Sequence, residues 1–343
     1  MRIPKKALLL AVKRGLDVSE TFSTTLYTGN GGTQTITNGI DLAGEGGLVW
    51  TKRRDATGNH AIVDTVRGPT PTSGSAGNGE LYTNSTAAAV DSDDFDAYLS
   101  DGFRLRFNTA TSNSSGASYA SWTFRQAPKF FDIVQYTGDG TSGRQIAHDL
   151  GVAPGMIVVK NLINTTDWRV WHRGAGAAHG SLNLADAFNT NNASVSSVWG
   201  DGSSYIEPTA SSFTIGSDGG VNTITNTYIA YVFAHDVNDS GIIQCGSYTG
   251  NGSTQQVDLG WEPQFIISKV ASAAGSWLIL DSARGFSSST TESAILYTNL
   301  SNAEFVATGD IFTTNATGFE VANSPAVNTS GNTYIYCAIK APE

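Results

Sequence analysis

An all-β chain is predicted, made of three tandem homologous antiparallel β-sandwich units of jelly-roll or lectin-like type behind a short basic N-terminal arm. Three observations predict it. The first is repetition. Tyr27-Thr28-Gly29-Asn30-Gly31 returns as Tyr136-Thr137-Gly138-Asp139-Gly140 and again as Tyr248-Thr249-Gly250-Asn251-Gly252. The period of about 110 residues is too long for a stacked solenoid coil and matches a small domain with its own core. The second is local pattern: short runs rich in Val, Ile, Thr, Tyr and Phe alternate with Gly, Asn, Ser and Asp clusters, as strands alternate with turns. The third is composition. Charged residues make up 15% of the chain, below the roughly 25% of ordinary domains, and Ser, Thr, Asn and Gly fill the polar positions instead. With few charges to blunt strand edges, each unit must hide its edges by closing up or by packing against a neighbour.

Taken in order, residues 1–19 form the arm. Arg2, Lys5, Lys6, Lys13 and Arg14 surround Leu8, Leu9 and Leu10 with no acid among them, whereas the whole chain carries a net charge of −10. Pro4 suits a first helical turn and Gly15 a stop. Such a basic amphipathic segment suits docking on an acidic or apolar partner surface better than covering its own first unit. A secretion signal is not expected, because Lys13 and Arg14 stand where a small-residue cleavage site belongs. No run reaches the ~18–20 apolar residues of a membrane span.

Residues 20–127, 128–239 and 240–343 are the three units. Each carries an apolar run ended by Lys (Leu48 to Lys52, Ile157 to Lys160, Phe265 to Lys269). A segment ending in Arg-Gly follows, then an aromatic last strand (Tyr119 to Phe124, Tyr228 to Phe233, Tyr334 to Ile339). The first junction, Ala127-Pro128-Lys129-Phe130-Phe131-Asp132, is short and apolar, which predicts a fixed angle between beads. The second, His235 to Gly241, is more polar and reads as looser.

Candidate chemistry is sparse. None of His60, His148, His172, His179 and His235 has a helical i, i+4 partner, and no nucleophile elbow or phosphate loop is present, so neither metal, cofactor nor enzymatic activity is expected. Asp91-Ser92-Asp93-Asp94-Phe95-Asp96 reads as a solvated acidic loop before it reads as a cation site. Asp64 and Asp281 align across units but meet His172 in the second, which argues against a shared mechanism. Trp168 and Trp277 also align and should fill one equivalent core slot. Trp199, in a polar Gly-rich stretch, either offers a ring to a glycan or interface partner or folds back under its own loop. Cys245 and Cys337, on the first and last strands of unit three, read as buried free thiols before a bridge. The acidic body excludes nucleic acid as its main partner.

The stretches Met1 to Gly15, Leu26 to Leu42, Pro154 to Lys160 and Trp168 to His172 resemble an uncharacterised repeat of structural proteins of tailed phages, especially those of marine bacteria and cyanobacteria. The resemblance runs along essentially the whole chain. It implies a virion component of the tail or a tail appendage (fibre, adaptor or knob), forming a homo-oligomer and contacting other virion proteins through Arg2, Lys5, Lys6, Leu8, Leu9, Leu10, Lys13 and Arg14. Alternatives are an adhesin for host surface polysaccharide, with Trp199 as its contact, and a capsid decoration protein; a depolymerase is the least favoured reading.

Overall fold

The computed structural model describes residues 15–68, 79–92, 94–236, 241–288, 292–309 and 311–342. It is an all-β protein whose sheets are antiparallel throughout the described strands. The first third contains β1 (Phe22–Thr28), β2 (Gln34–Thr37), β3 (Gly47–Arg53), β4 (His60–Asp64), β5 (Leu81–Tyr82), β6 (Phe95–Leu99), β7 (Gly102–Leu105) and β8 (Ser118–Arg125). The second contains β9 (Phe131–Thr137), β10 (Arg144–Ala147), β11 (Pro154–Asn161), β12 (Arg169–His172), β13 (Gly180–Ser181), β14 (Ser212–Ile215) and β15 (Thr227–Ala234). The last contains β16 (Ile243–Thr249), β17 (Gln255–Asp258), β18 (Pro263–Val270), β19 (Leu278–Asp281), β20 (Glu292–Tyr297), β21 (Phe305–Thr308), β22 (Phe312–Asn315), β23 (Gly318–Val321) and β24 (Thr333–Lys340).

One strand order recurs. In each third the main sheet runs first, last, third, fourth, fifth: β1-β8-β3-β4-β5, β9-β15-β11-β12-β13 and β16-β24-β18-β19-β20, the last extended by β21. A smaller sheet accompanies each: β2-β7-β6, β10-β14 and β17-β23-β22. Among the described residues the second third has no counterpart of β6 and β22, and the helix Asn192–Val198 occupies that stretch of sequence instead.

The main sheets bury both faces, and this explains why their central strands read as unbroken apolar runs. Leu48 and Trp50 point into one continuous core that also takes in Met156, Val158, Phe265 and Ile267 from the other two thirds. Between them, Val49 points the other way, onto Phe95, Phe103 and Leu105 of the small sheet, as Ile266 points onto Phe319 and Val321. The beads expected from the sequence are therefore corrected: three main sheets share one central core. The first junction is part of it, with Phe130 and Phe131 buried and the Phe131 ring 5.6 Å from Phe124. Of the second, His235, Asp236 and Gly241 are described; Asp236 is buried and its amide donates to Ile243 O at 3.1 Å. A small void of about 20 Å³ remains between Trp50, Met156, Trp168 and Ile267.

Polar joints close the arrangement into a ring. Each joint sets the end of one third's fourth strand against the last strand of the next third in the cycle. Tyr231 Oη donates to Asp64 Oδ2 at 2.7 Å. The His172 Nε2 lies 3.0 Å from Tyr336 O, to which it donates while Nδ1 accepts from Gly174 N. Trp122 Nε1 donates to Asp281 Oδ2 at 2.9 Å, which joins the first third to the last.

The lysine that ends each apolar run repeats the cycle. Lys52, Lys160 and Lys269 are wholly buried. Lys52 Nζ donates to Ser301 O at 3.4 Å, Lys160 Nζ to Thr86 O at 3.1 Å and Lys269 Nζ to Ala185 O at 3.0 Å, in every case a carbonyl of a different third. Burial lowers each ammonium to about 8. The aligned tryptophans do the same with indole N–H groups: Trp168 Nε1 donates to Tyr82 O and Trp277 Nε1 to Ser181 O, both at 3.0 Å. His60 takes that slot in the first third, its Nδ1 accepting from Trp50 Nε1 at 3.0 Å.

Candidate functional site

The motif that announced the repeat is a built turn. Tyr27, Tyr136 and Tyr248 stack on Tyr119, Tyr228 and Tyr334 at 5.2, 5.2 and 5.1 Å. Their hydroxyls donate to Ser112 O, Val221 O and Val327 O. The glycine that follows has no room for a side chain: a Cβ on Gly29, Gly138 or Gly250 would stand 2.2–2.3 Å from a carbonyl oxygen of the crossing segment. Next, Asn30, Asp139 and Asn251 each accept from the backbone N–H two residues on, and Gly31, Gly140 and Gly252 sit at φ of +72°, +73° and +72°. Only glycine adopts that φ without strain. Buried Asn113, Asn222 and Asn328 then clamp each turn by accepting from Asn30 N, Asp139 N and Asn251 N. The tyrosine, both glycines and the Asn or Asp of the motif each have a structural cause.

The sequence-derived candidates fall as follows. Arg2, Lys5, Lys6, Leu8, Leu9, Leu10, Lys13 and Arg14 lie outside the described residues. The described chain begins next to Leu16 and Val18, which pack on the central core at the end of β1 opposite its Tyr-Thr-Gly turn.

Trp199 is 1% exposed and cannot stack on a glycan; its ring lies edge-on to Phe213 at 6.3 Å. The reason is the helix Asn192–Val198, capped by Asn191, whose Val195 and Val198 lead the ring into the core.

The acidic stretch is corrected as well. Asp94 is 4% exposed and accepts from Thr111 Oγ1 at 2.6 Å, while Asp96 pairs with Arg104 and Arg106, so neither acid is freely solvated. Asp93 lies outside the described residues. Among the described residues no group of three or more His, Cys, Asp or Glu could hold a metal ion.

Cys245 and Cys337 face each other in register on β16 and β24 as free buried thiols, and burial raises the Cys245 thiol. No helix among the described residues is long and apolar enough to cross a membrane.

One open feature is polar and differs between thirds. A groove of about 430 Å³ on the second third is lined by Asp167, Arg169, His179, Ser181, Asp186 and Asn189, among others. Its counterpart on the last third, about 520 Å³, is lined by Val270, Leu278, Tyr297 and Leu300 together with Ser276, Thr329 and Asn332. The difference follows from paired strand positions: Arg169 faces Ser181 across β12 and β13, where Leu278 faces Tyr297 across β19 and β20 and Ala61 faces Tyr82 across β4 and β5. Arg169 is held by Asp218 at 3.2 Å and Asp167 at 3.8 Å. His179 is 7% exposed, its Nε2 lies 2.9 Å from Ser194 Oγ, and Nδ1 has no partner. Burial, with a smaller push from Arg169, lowers its imidazole to about 4, so the ring is neutral. Sequence reasoning missed this cluster, because the strand pairing that gathers it is not visible in residue spacing.

Among curated proteins, none matches the chain. A family model does, running from residue 17 to 342 and so through all three thirds and the joints between them. The chain therefore belongs to the family described as domain of unknown function DUF7483.

Proposed function

We propose that the protein is a structural component of a tailed-phage particle, placed in the tail or a tail appendage as a fibre, adaptor or knob. Its three thirds are then homologous sandwich-like units, each a main sheet covered by its small sheet. Residues 1–14 are the plug that contacts other virion proteins, and several copies form a homo-oligomer on the particle. Beyond the sequence resemblance, the observation that supports this reading is the ring of joints. Each third is completed by polar atoms of another, which makes the body one stiff block, and a stiff block suits a part that transmits force. The described chain enters that block at the end of β1 opposite the strand's own Tyr-Thr-Gly turn, so a block docked by its arm holds that turn away from the docking point.

The test is a truncation lacking Met1 to Gly15, followed through particle assembly. The truncated chain is expected to keep its melting temperature and to be missing from purified particles. Normal incorporation of that chain would reject the docking role.

A further inference from the structure

We infer that Cys245 and Cys337 are a disulfide-forming site, closed by peroxide inside the folded protein, and that the bridge braces the joint where the second third meets the last. The inference goes beyond a virion role and does not depend on it. It starts from the position that supplies the donor of the other two joints. Trp122, Tyr231 and Cys337 are equivalent on the three last strands: they pair with Trp50, Val158 and Ile267, each two residues before the buried lysine. On the other side they pair with Thr24, Ile133 and Cys245 of the first strands. Trp122 and Tyr231 reach from that position to Asp281 and Asp64. A cysteine is too short for such a bond, so this joint rests on His172 and the carbonyl of Tyr336. The residue in place of the aromatic donor is a thiol, and the residue facing it is a second thiol.

Strand geometry places the pair for bridging. Cys245 N donates to His235 Nδ1 at 3.2 Å and Ile243 O accepts from Asp236 N at 3.1 Å, so both residues turn their backbone polar groups away from β24. Cys245 and Cys337 are therefore paired without backbone bonds between them. In such a pair the Cα atoms lie about 4.5 Å apart, inside the ~4.4–6.8 Å that a disulfide spans. Both side chains leave the same face of the sheet, and their thiols lie within hydrogen-bonding reach of each other. Gly155 of β11 makes the space: a Cβ there would stand 2.5 Å from Cys245 Cβ and 2.6 Å from its Sγ.

The bridge ties together the two strands that receive the second third. The corner after β12 lands on both: His172 bonds Tyr336 O on β24, and Gly174 lies so close to β16 that a Cβ on it would stand 2.9 Å from Gly246 O. Both thiols are buried, at 0% and 2% exposed, which admits a small oxidant and turns away a bulky disulfide. Burial also raises the Cys245 thiol, so closure is slow and answers to sustained peroxide. One sulfur, as thiolate, attacks a peroxide oxygen; the O–O bond breaks, hydroxide leaves and a sulfenic acid forms. The other thiol attacks that sulfur, the S–O bond breaks, and the thiol proton leaves with the hydroxide as water. Two thiols and one hydrogen peroxide become one disulfide and two waters.

The test treats the reduced full-length chain, without denaturant, with hydrogen peroxide and in parallel with oxidised glutathione, then blocks free thiols and maps peptides by mass spectrometry. Peroxide is expected to give a peptide cross-linked through Cys245 and Cys337, two hydrogens lighter than its separate parts. The bridged protein should melt higher than the reduced one, because nearly the whole last third becomes a closed loop, and dithiothreitol should reverse the rise. Cys245→Ala and Cys337→Ala should each abolish the cross-link and the response of melting temperature to peroxide. The cross-link is read on the unaltered chain and does not rest on the folding of either variant. Amide exchange at Gly174 should slow on bridging. Thiols that stay free until denaturant is added, or that stop at sulfenic or sulfinic acid, would overturn the site. Closure as fast with glutathione would overturn the choice of oxidant, and unslowed exchange at Gly174 the bracing role.

Discussion

The joints of the first and last thirds and the joint of the second do the same mechanical task with opposite electrostatics. Asp64 accepts from Arg67 N at 2.9 Å and Arg67 Nε at 2.6 Å before it receives the Tyr231 hydroxyl. Asp281 repeats this with Arg284 at 3.0 and 2.7 Å before it receives the Trp122 indole. All four charged side chains are buried to within about one per cent. In the second third His172 replaces the acid, no arginine stands three residues on, and a neutral ring bridges Gly174 N and Tyr336 O. An ion pair taken out of water must be fully paired to break even, whereas a neutral imidazole brings no charge to compensate. The comparison teaches that the fold demands a hydrogen-bonding group at this corner but not a charge.

The sharpest way to break that comparison is to remove one partner of a charged joint. Arg67→Met leaves Asp64 buried and unpaired and is expected to cost about 3–5 kcal/mol, whereas Asp64→Asn with Arg67→Met should recover much of it. Equal unfolding midpoints for single and double variants in denaturant would show that the pair does not act as a unit. Next in size are the turns that all thirds share. Gly138→Ala sets a Cβ against Thr223 O at 2.2 Å and should cost about 1–3 kcal/mol, and Gly250→Ala should match it; a neutral result in either would dissolve the threefold equivalence.

The joints should also part company with pH. Burial depresses His172 to about 3, so the stability it contributes is fully present above the ordinary histidine range near 6.5 and is lost as pH falls through about 3. A titration of melting temperature between those limits should flatten in His172→Gln, and an unchanged slope would remove His172 from the account. Glu80, which lies outside the joints, is raised by burial to about 8 with Asp94 adding to the shift and has the opposite sign. Its contribution is present below the ordinary carboxyl range and lost as pH rises through about 8. The smallest effect belongs to the lysines: Lys160→Met keeps the apolar stem but takes the ammonium donor from Thr86 O and Thr166 O, of which Thr86 O keeps the Thr166 N–H, for about 1–2 kcal/mol. Lys52→Met and Lys269→Met should follow within a factor of two if the three sites are equivalent.

Much of the architecture was legible in the sequence, and its central feature was visible but misread. The turn motif located three like units because its tyrosine, glycines and Asn or Asp answer steric and hydrogen-bonding demands that recur. The aligned Trp168 and Trp277 occupy equivalent slots, as their alignment implied, whereas His60 in the third slot accepts from Trp50 Nε1 instead of donating to another third, so the slot tolerates a change of side chain and of hydrogen-bonding role. Leu48-Val49-Trp50 and Ile157-Val158-Val159 are continuous rather than alternating, which states that both faces of the strand are covered. A bead with one core of its own needs only one covered face. Trp199 stayed open between a partner contact and a ring folded back under its own loop because its neighbours are polar; its burial decides for the second, and Val195, Val198 and Trp199 fall at helical spacing. The groove stayed hidden because Arg169, Ser181 and His179 meet only through the register of β12 and β13, and register is a property of pairing rather than of any one segment.

The bond from Trp122 to Asp281 has a consequence for synthesis. A ribosome that has delivered the first third has made the donor and not the acceptor, which lies 159 positions downstream. Until the last third emerges, the nascent chain must carry an aromatic flank open to solvent. Birth of the mature shape is thus postponed until the last third has been made, and a premature stop codon within residues 240–343 should leave a product that chaperones and proteases recognise.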